Sequence, residues 1–260
     1  MHTQSLSFRL QRIALMALFS TSIFLATAPA TNATSSVYSN ITAFAGSCDG
    51  TYDTYSSQLY NLTISGFRKL GYSPSGYTGT SFTKSKVLDS VDTDKAFYVH
   101  SHGDYYGSND TQGFRVDAGY CSGAPIVYST DVDSHRGSTP AQVVILSTCY
   151  LGENPPSGTN QLSMAEAFGI PQVQDLVTEW AWYMGYKKEP YTSDELEFES
   201  YFWNKIQGYA YYGLTSAFQA ARAHISFSTP PGMSTPSPMW YGNPNYTGWY
   251  DTSGGCPNCE

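Results

Sequence analysis

The chain has 260 residues, of which 41% are hydrophobic and 13% are charged, and its formal net charge is −8 at pH 7. This length is sufficient for one well-buried domain. The excess of acidic over basic residues argues against nucleic acid as a partner, because surfaces that bind nucleic acid are basic.

The first 33 residues have the pattern of a secretory signal peptide. Arg9 and Arg12 precede an apolar stretch over residues 13–28, and small residues follow it. The candidate cleavage points are Ala28, Ala30 and Ala33. A retained anchor is the alternative, but the stretch is short and rich in Ser and Thr, and no second apolar run approaches the roughly 20 residues that a spanning helix needs. Removal of residues 1–33 would leave 11 basic and 21 acidic residues, a net charge of −10. We therefore expect a secreted protein with no membrane association after signal removal.

Strand-like and helix-like segments alternate along the rest of the chain. Apolar residues recur at helical spacing in several segments, and Gly71 and Gly169 are positioned to end two of these helices. The predicted strands are 41–46, 96–102, 143–149 and 176–184, and the predicted helices are 53–70, 84–91, 161–168, 194–207 and 214–225. This alternation predicts an α/β fold with a mostly parallel central sheet covered by helices on both faces.

Two segments lack this alternation. Residues 104–139 are rich in Gly, Asp, Ser and Tyr, which indicates a long excursion above the sheet with one hairpin near 124–130. Long loops at a strand end usually shape a site. From Thr229 onward Pro, Gly, Ser and aromatic residues predominate, which predicts a structureless tail pinned by cysteines.

Two apolar strands end on reactive side chains. Residues 96–104 read Ala-Phe-Tyr-Val-His-Ser-His-Gly-Asp, and residues 143–150 read Val-Val-Ile-Leu-Ser-Thr-Cys-Tyr. Open α/β sheets present their chemistry at the carboxyl ends of their strands. If the two strands are neighbours, the imidazole of His102 and the thiol of Cys149 meet across 47 residues of sequence.

The five cysteines are an odd number, so one stays free if four form disulfides. Cys149 is the natural free one, because it ends an apolar strand whereas the others lie in loops or in the tail. These others are Cys48, Cys121, Cys256 and Cys259. A buried structural thiol is the alternative for Cys149, and zinc or redox chemistry is the alternative for the final Cys-x-x-Cys pair.

The His-Gly strand, followed about 50 residues later by a strand that ends in a small residue and Cys, resembles the caspase-hemoglobinase superfamily of cysteine peptidases. The order of strands and helices around the two motifs also resembles that superfamily, over residues 41–225. The Ser-Thr-Cys-Tyr-Leu-Gly sequence at 147–152 matches neither the caspase nor the legumain signature, so no branch is assigned. The resemblance implies a caspase-like three-layer sandwich over residues 34–228, followed by a tail over residues 229–260.

The resemblance also implies a secreted cysteine endopeptidase that needs no cofactor and acts on peptide or protein substrates. Cys149 would be the nucleophile and His102 the catalytic imidazole, and the N–H groups of Gly103 and Cys149 would form the oxyanion hole. Acylation at sulfur would be followed by hydrolysis. Ser147, two residues before the nucleophile, and Trp182 would line the substrate pocket. A core position is the alternative for Trp182, because tryptophans in a strand are more often buried in the core. A serine at that position weakens the case for Arg or Lys specificity.

Two other functions fit parts of the sequence. His100, His102 and Asp104 match the H-x-H-x-D pattern of zinc hydrolases, with His135 and His224 as the remaining imidazoles downstream. Alternatively, a catalytically inactive member of the fold would act as an exported binding or surface protein through its tyrosine-rich loops.

Overall fold

A computed structural model describes most of the chain beyond the predicted signal peptide. The described residues are 34–39, 52–78, 81–107, 111–116, 125–137, 141–155, 161–176, 180–208 and 213–248. The predicted signal peptide, the predicted first strand at 41–46 and the cysteines at 48, 121, 256 and 259 lie outside these ranges. No helix in the described ranges has the length and apolarity needed to cross a bilayer.

The main sheet has six strands in the order β2-β1-β3-β7-β8-β9. The first five strands of this order run parallel, and β9 pairs antiparallel with β8. Their bounds are Thr34–Ser39 (β1), Ser73–Thr78 (β2), Ala96–His100 (β3), Val143–Ser147 (β7), Trp182–Lys187 (β8) and Ser237–Gly242 (β9). The predicted α/β class with a mainly parallel sheet is confirmed.

Six helices connect and cover these strands in the described residues. They are Tyr52–Lys69 (α1), Lys84–Thr93 (α2), Ser129–His135 (α3), Met164–Ala167 (α4), Thr192–Gly208 (α5) and Leu214–His224 (α6). Gly71 and Gly169 follow α1 and α4 with φ of 91° and 81°. This left-handed backbone is accessible to glycine without a Cβ penalty, so both predicted helix ends are confirmed.

Two apolar cores lie on opposite faces of the sheet. Side chains alternate between faces along a strand, so Tyr98 and Ile145 enter one core whereas Val99 and Leu146 enter the other. Helices α1, α5 and α6 supply side chains to the first core, and α2 and α4 supply them to the second. All five residues of β3 and all five of β7 are buried. This arrangement is the predicted three-layer sandwich.

The excursion after β3 is more structured than the sequence predicts. It contains a second sheet, antiparallel in the order β4-β5-β6, with strands Gly103–Tyr106 (β4), Thr111–Arg115 (β5) and Ile126–Tyr128 (β6). Helix α3 follows β6 directly. Few residues of this sheet are apolar, and Phe114 and Val127 are buried because they pack onto the second core.

Two predicted element boundaries are wrong for a common reason. The strand predicted at 176–184 begins only at Trp182, and Leu176 and Trp180 are exposed. The tail predicted to be structureless from Thr229 contains β9, in which Trp240 and Tyr241 are buried on opposite faces of the sheet. Both outcomes depend on which residues meet the pairing partner, which is a non-local property.

Candidate active site

The register of the two central strands places His102 and Cys149 side by side. In the parallel pair of β3 and β7, His100 lies opposite Ser147, 47 positions later in the chain. His102 and Cys149 each follow this matched pair by two residues and are separated by the same 47 positions. Adjacent strands lie about 4.8 Å apart. The two chain segments that carry the imidazole and the thiol therefore leave the sheet next to each other.

The backbone of Gly103 lies directly against that of Cys149. A Cβ added to Gly103 would collide with the carbonyl oxygen of Cys149, and it would lie 3.0 Å from the Cβ of Thr148 and 3.2 Å from the nitrogen of Cys149. The backbone N–H of Gly103 also makes a hydrogen bond to the Cys149 thiol, which lowers the pKa of that thiol. Only glycine fits between His102 and the cysteine strand without displacing the backbone.

The chain turns sharply straight after Cys149. Tyr150 has a φ of 63°, which is uncommon for a residue with a side chain. Cys149 forms no disulfide, and it is half-buried, as is His102. Cys149 therefore lies at a turn with unusual backbone, outside both apolar cores.

The electrostatic surroundings keep this thiol protonated. Burial raises the pKa of Cys149 well above its usual range, and the carboxylates of Glu195, Glu189 and Asp104 raise it further. The hydrogen bond from Gly103 opposes this shift but does not reverse it. At neutral pH the resting group is therefore the neutral thiol.

Ser147 belongs to a buried polar cluster beneath the two strand ends. Its hydroxyl donates to Oε1 of Glu195 at 2.6 Å, and it lies 3.0 Å from Nδ1 of His100. Since the hydroxyl has one proton and gives it to Glu195, Nδ1 of His100 carries a proton and donates to Ser147. His100 is thus a buried, hydrogen-bonded neighbour of the site. Ser147 is fully buried, so a substrate cannot touch it in this conformation.

The cluster extends to a second buried carboxylate, Glu199. Tyr98 donates to Glu199 at 2.8 Å and Tyr186 donates at 3.2 Å. Burial, and then the Glu195 carboxylate, raise the pKa of Glu199 to about 7. Sequence reasoning missed both glutamates. The available signal was their helical spacing, since Glu195 and Glu199 lie on the same stripe of α5 as the buried Phe202.

Trp182 is a core residue and not a pocket residue. It is fully buried in the first core, where its ring stacks on Phe202 with a centroid distance of 5.9 Å and on Trp240 at 6.4 Å. Trp182 is therefore not exposed to a substrate in this conformation. Strand β8 is buried on both faces, so its large side chains fill the core.

The residues of the zinc alternative are not gathered around a common point. His100 is buried with its Nδ1 committed to Ser147, and the exposed Asp104 accepts a hydrogen bond from the N–H of Tyr105 at 2.7 Å. His135 bonds to the carbonyl of Asp131 on α3. Within the described ranges no group of three or more His, Cys, Asp or Glu residues is placed to hold a metal ion.

An open cleft of about 570 Å³ lies beside the turn that follows Cys149. Lys188 forms an ion pair with Glu153 at 2.6 Å across it, and its ammonium lies 5.5 Å from the centre of the Tyr150 ring. The cleft is lined by Tyr105, Tyr150, Glu153, Asn154, Lys187 and Lys188. Sequence reasoning did not identify these residues, because they come from three separate segments that meet only in the folded chain.

Solved structures that are similar to this chain include the following two. The initiator caspase Dronc from Drosophila matches with 10% sequence identity and a TM-score of 0.45, over 83% of this chain and 83% of that one. A protein from Geobacter sulfurreducens matches with 11% identity and a TM-score of 0.41, over 82% of this chain and 94% of that one. No protein-family model and no curated protein sequence matches the chain. At such low identities and TM-scores the two matches carry no argument about function, so the proposed function rests on this chain's own sequence and geometry.

Proposed function

We propose that this protein is a cysteine endopeptidase in which Cys149 is the nucleophile and His102 is the general acid and base. One observation carries the proposal: the β3 and β7 register leads His102 and Cys149 out of the sheet side by side, with Gly103 packed against the cysteine backbone. An imidazole and a free thiol in this relation are the groups that peptide cleavage by covalent catalysis requires.

The proposed reaction begins from the neutral thiol. The Cys149 sulfur attacks the carbonyl carbon of the scissile peptide bond, and His102 takes the thiol proton as the C–S bond forms. Backbone N–H groups of Gly103 and Cys149 donate to the oxyanion, and the close approach of Gly103 supports this role. His102 then gives its proton to the leaving amine, and a thioester remains on Cys149. Water hydrolyses the thioester and releases the carboxylic acid and the thiol.

The substrate is a peptide or protein segment that lies across the two strand ends. An open cleft lined by Tyr105, Tyr150 and Lys188 lies beside the turn that follows Cys149, and we propose that the chain beyond the reacting bond binds there. We also propose that the protein acts after export. This part rests on the charged, apolar and small-residue pattern of residues 9–33.

The test is cleavage of a mixed peptide library by the purified full chain, read by mass spectrometry. Cys149→Ala should lower the rate by about 1,000-fold or more, and His102→Ala by about 100- to 10,000-fold. His135→Ala is the matched control, because it removes an exposed imidazole from α3. It should retain full activity.

Other outcomes would decide against the thiol mechanism. Cleavage that survives in Cys149→Ala but is lost with a chelator would support the zinc hydrolase. Absence of cleavage, together with no labelling of Cys149 by peptidyl electrophiles, would favour the exported binding protein.

A further inference from the structure

Side chains hold four consecutive carbonyl groups directly after Cys149. Gln112 donates to the carbonyl of Tyr150 at 3.0 Å and to that of Glu153 at 3.0 Å. The remaining bonds are Tyr183 to Leu151 at 2.6 Å, Tyr241 to Gly152 at 2.8 Å and Gln172 to Glu153 at 3.0 Å. Loop carbonyls are ordinarily satisfied by water or by other backbone groups. In this loop a side chain bonds to each of the four carbonyls, and the carbonyl of Tyr150 also accepts from the N–H of Glu153 at 3.1 Å.

Gln112 makes two of these five side-chain bonds, and one of them is to Tyr150, the residue that follows Cys149. It is 1% exposed and lies on β5 of the small sheet. Its Oε1 accepts from the N–H of Met164 at 2.7 Å, and its Nε2 also lies 3.2 Å from the hydroxyl of Tyr105. Both ends of the amide are therefore occupied, which holds the side chain in one orientation.

The same strand, β5, also holds the segment that carries the imidazole. The N–H of Arg115 donates to the carbonyl of His102 at 2.9 Å, and the hydroxyl of Ser101 donates to the carbonyl of Arg115 at 2.6 Å. In the antiparallel register of β4 and β5, Gly103 lies opposite Phe114. Strand β5 thus binds the His102 segment through its backbone and the Cys149 turn through Gln112.

The turn needs such a restraint. The φ of Tyr150 lies in the left-handed region, which is unfavourable for a residue with a side chain. The bond from Gln112 ties the carbonyl of Tyr150, the residue that follows Cys149, to strand β5.

We propose that Gln112 is a positioning residue that sets the geometry of Cys149 relative to His102 through the carbonyl of Tyr150. The inference deepens the proposed peptidase function and depends on it for the effect on turnover. The effect of Gln112 on the orientation of the Cys149 thiol does not depend on that function.

The test compares Gln112→Met with the wild-type full chain in two assays. Methionine has a similar shape, but its side chain has no N–H group to donate to the carbonyls of Tyr150 and Glu153. We expect kcat for peptide cleavage to fall roughly 10- to 100-fold with KM changed less than about threefold, because two hydrogen bonds that hold the productive turn are lost. The second assay is the rate of Cys149 alkylation by iodoacetamide between pH 6 and 10, measured on the Cys149 peptide. A loosened turn admits water to the thiol, so alkylation at pH 8 should become faster while kcat falls.

Gln174→Leu is the control, because it also removes a hydrogen bond from a side-chain amide to a backbone carbonyl. Gln174 donates to the carbonyl of Trp240 at 2.8 Å, which is outside the turn, so both assays should match the wild type. Gln112→Glu is the second variant, in case the methionine variant does not fold. Glutamate keeps an oxygen that can accept from the N–H of Met164. As the pH falls, its carboxyl group gains a proton that it can donate to a carbonyl of the turn, so the activity relative to the wild type should rise.

The outcomes separate the two proposals. Wild-type kcat and an unchanged alkylation profile in both Gln112 variants would overturn the positioning role. The positioning role would also be overturned if kcat and the alkylation rate both fell in proportion to the loss in melting temperature, and did so equally in the Gln112 variants and in the Gln174→Leu control. If the wild type cleaves no peptide but Gln112→Met still accelerates alkylation, the positioning role stands and the peptidase function fails.

Discussion

The most direct physical test of the buried cluster is the substitution Glu199→Gln. Glu199 is fully buried and accepts hydrogen bonds from Tyr98 and Tyr186. Glutamine has the same shape, and a tyrosine hydroxyl can turn to accept from its amide, so the packing is retained. The change removes an ionisable group from a place where ionisation is unfavourable.

The magnitude follows from the two pKa values. Burial and Glu195 raise the pKa of Glu199 from 4.5 to about 7 in the folded protein. Because the unfolded chain ionises first, stability from this group is fully present below pH 4.5 and is lost as the pH rises to about 7. At about 1.4 kcal/mol for each pH unit, the loss amounts to about 3 kcal/mol. For a domain of this size that corresponds to roughly 6–12 °C in melting temperature.

The assay is urea unfolding of the wild type and Glu199→Gln at pH 5, 6, 7 and 8. The variant should gain stability relative to the wild type as the pH rises, by up to about 3 kcal/mol between pH 5 and pH 8. Glu197→Gln, on the same helix but exposed, is the control and should show no such trend. A difference between wild type and Glu199→Gln that stays constant with pH would refute the reasoning.

Three further predictions concern the site and the core. Gly103→Ala should lower kcat/KM about 100-fold or more, because the added methyl group collides with the Cys149 backbone, whereas Gly208→Ala, with open space around it, should leave peptide cleavage unchanged. Trp182→Ala should lower the free energy of unfolding in urea by about 3–5 kcal/mol, and a smaller loss would contradict its place in the core. The alkylation rate of Cys149 should still be far below its maximum at pH 10 in the folded protein, because burial raises its pKa, whereas in the unfolded chain it should be half-maximal near about pH 8.5. A half-maximal rate below pH 8 in the folded protein would show that burial and the nearby carboxylates do not raise the pKa of the thiol.

The local periodicity of the sequence was sufficient to predict most of the helices and central strands that form the layers. Apolar residues at helical spacing identified α1, α5 and α6 to within two residues, and Gly71 marked the end of α1. The two apolar runs that end near His102 and Cys149 identified the central strands β3 and β7. These features depend on neighbours in the sequence, so residue types alone carry the information.

The extent of the sheet depended on contacts that periodicity does not encode. Strand β9 contains Pro238 and follows a Pro-rich segment, yet its pairing with β8 buries Trp240 and Tyr241. The three-stranded sheet of β4, β5 and β6 lies in a segment with the composition of a loop. In both cases the pairing partner supplies the stabilisation, and a partner distant in sequence leaves no local pattern.

The sequence by itself determined which side chains carry the proposed chemistry, because a strand that ends in His-Gly and another that ends in Cys are local signals. Only the tertiary structure decided what surrounds them. The register of 47 residues, the two carboxylates of α5 beneath Ser147, and the amide of Gln112 at the Cys149 turn arise from segments that are far apart in the chain. Hydrogen bonds and burial between such segments exist only after the layers have packed, so the environment that sets the reactivity of Cys149 is a property of the fold.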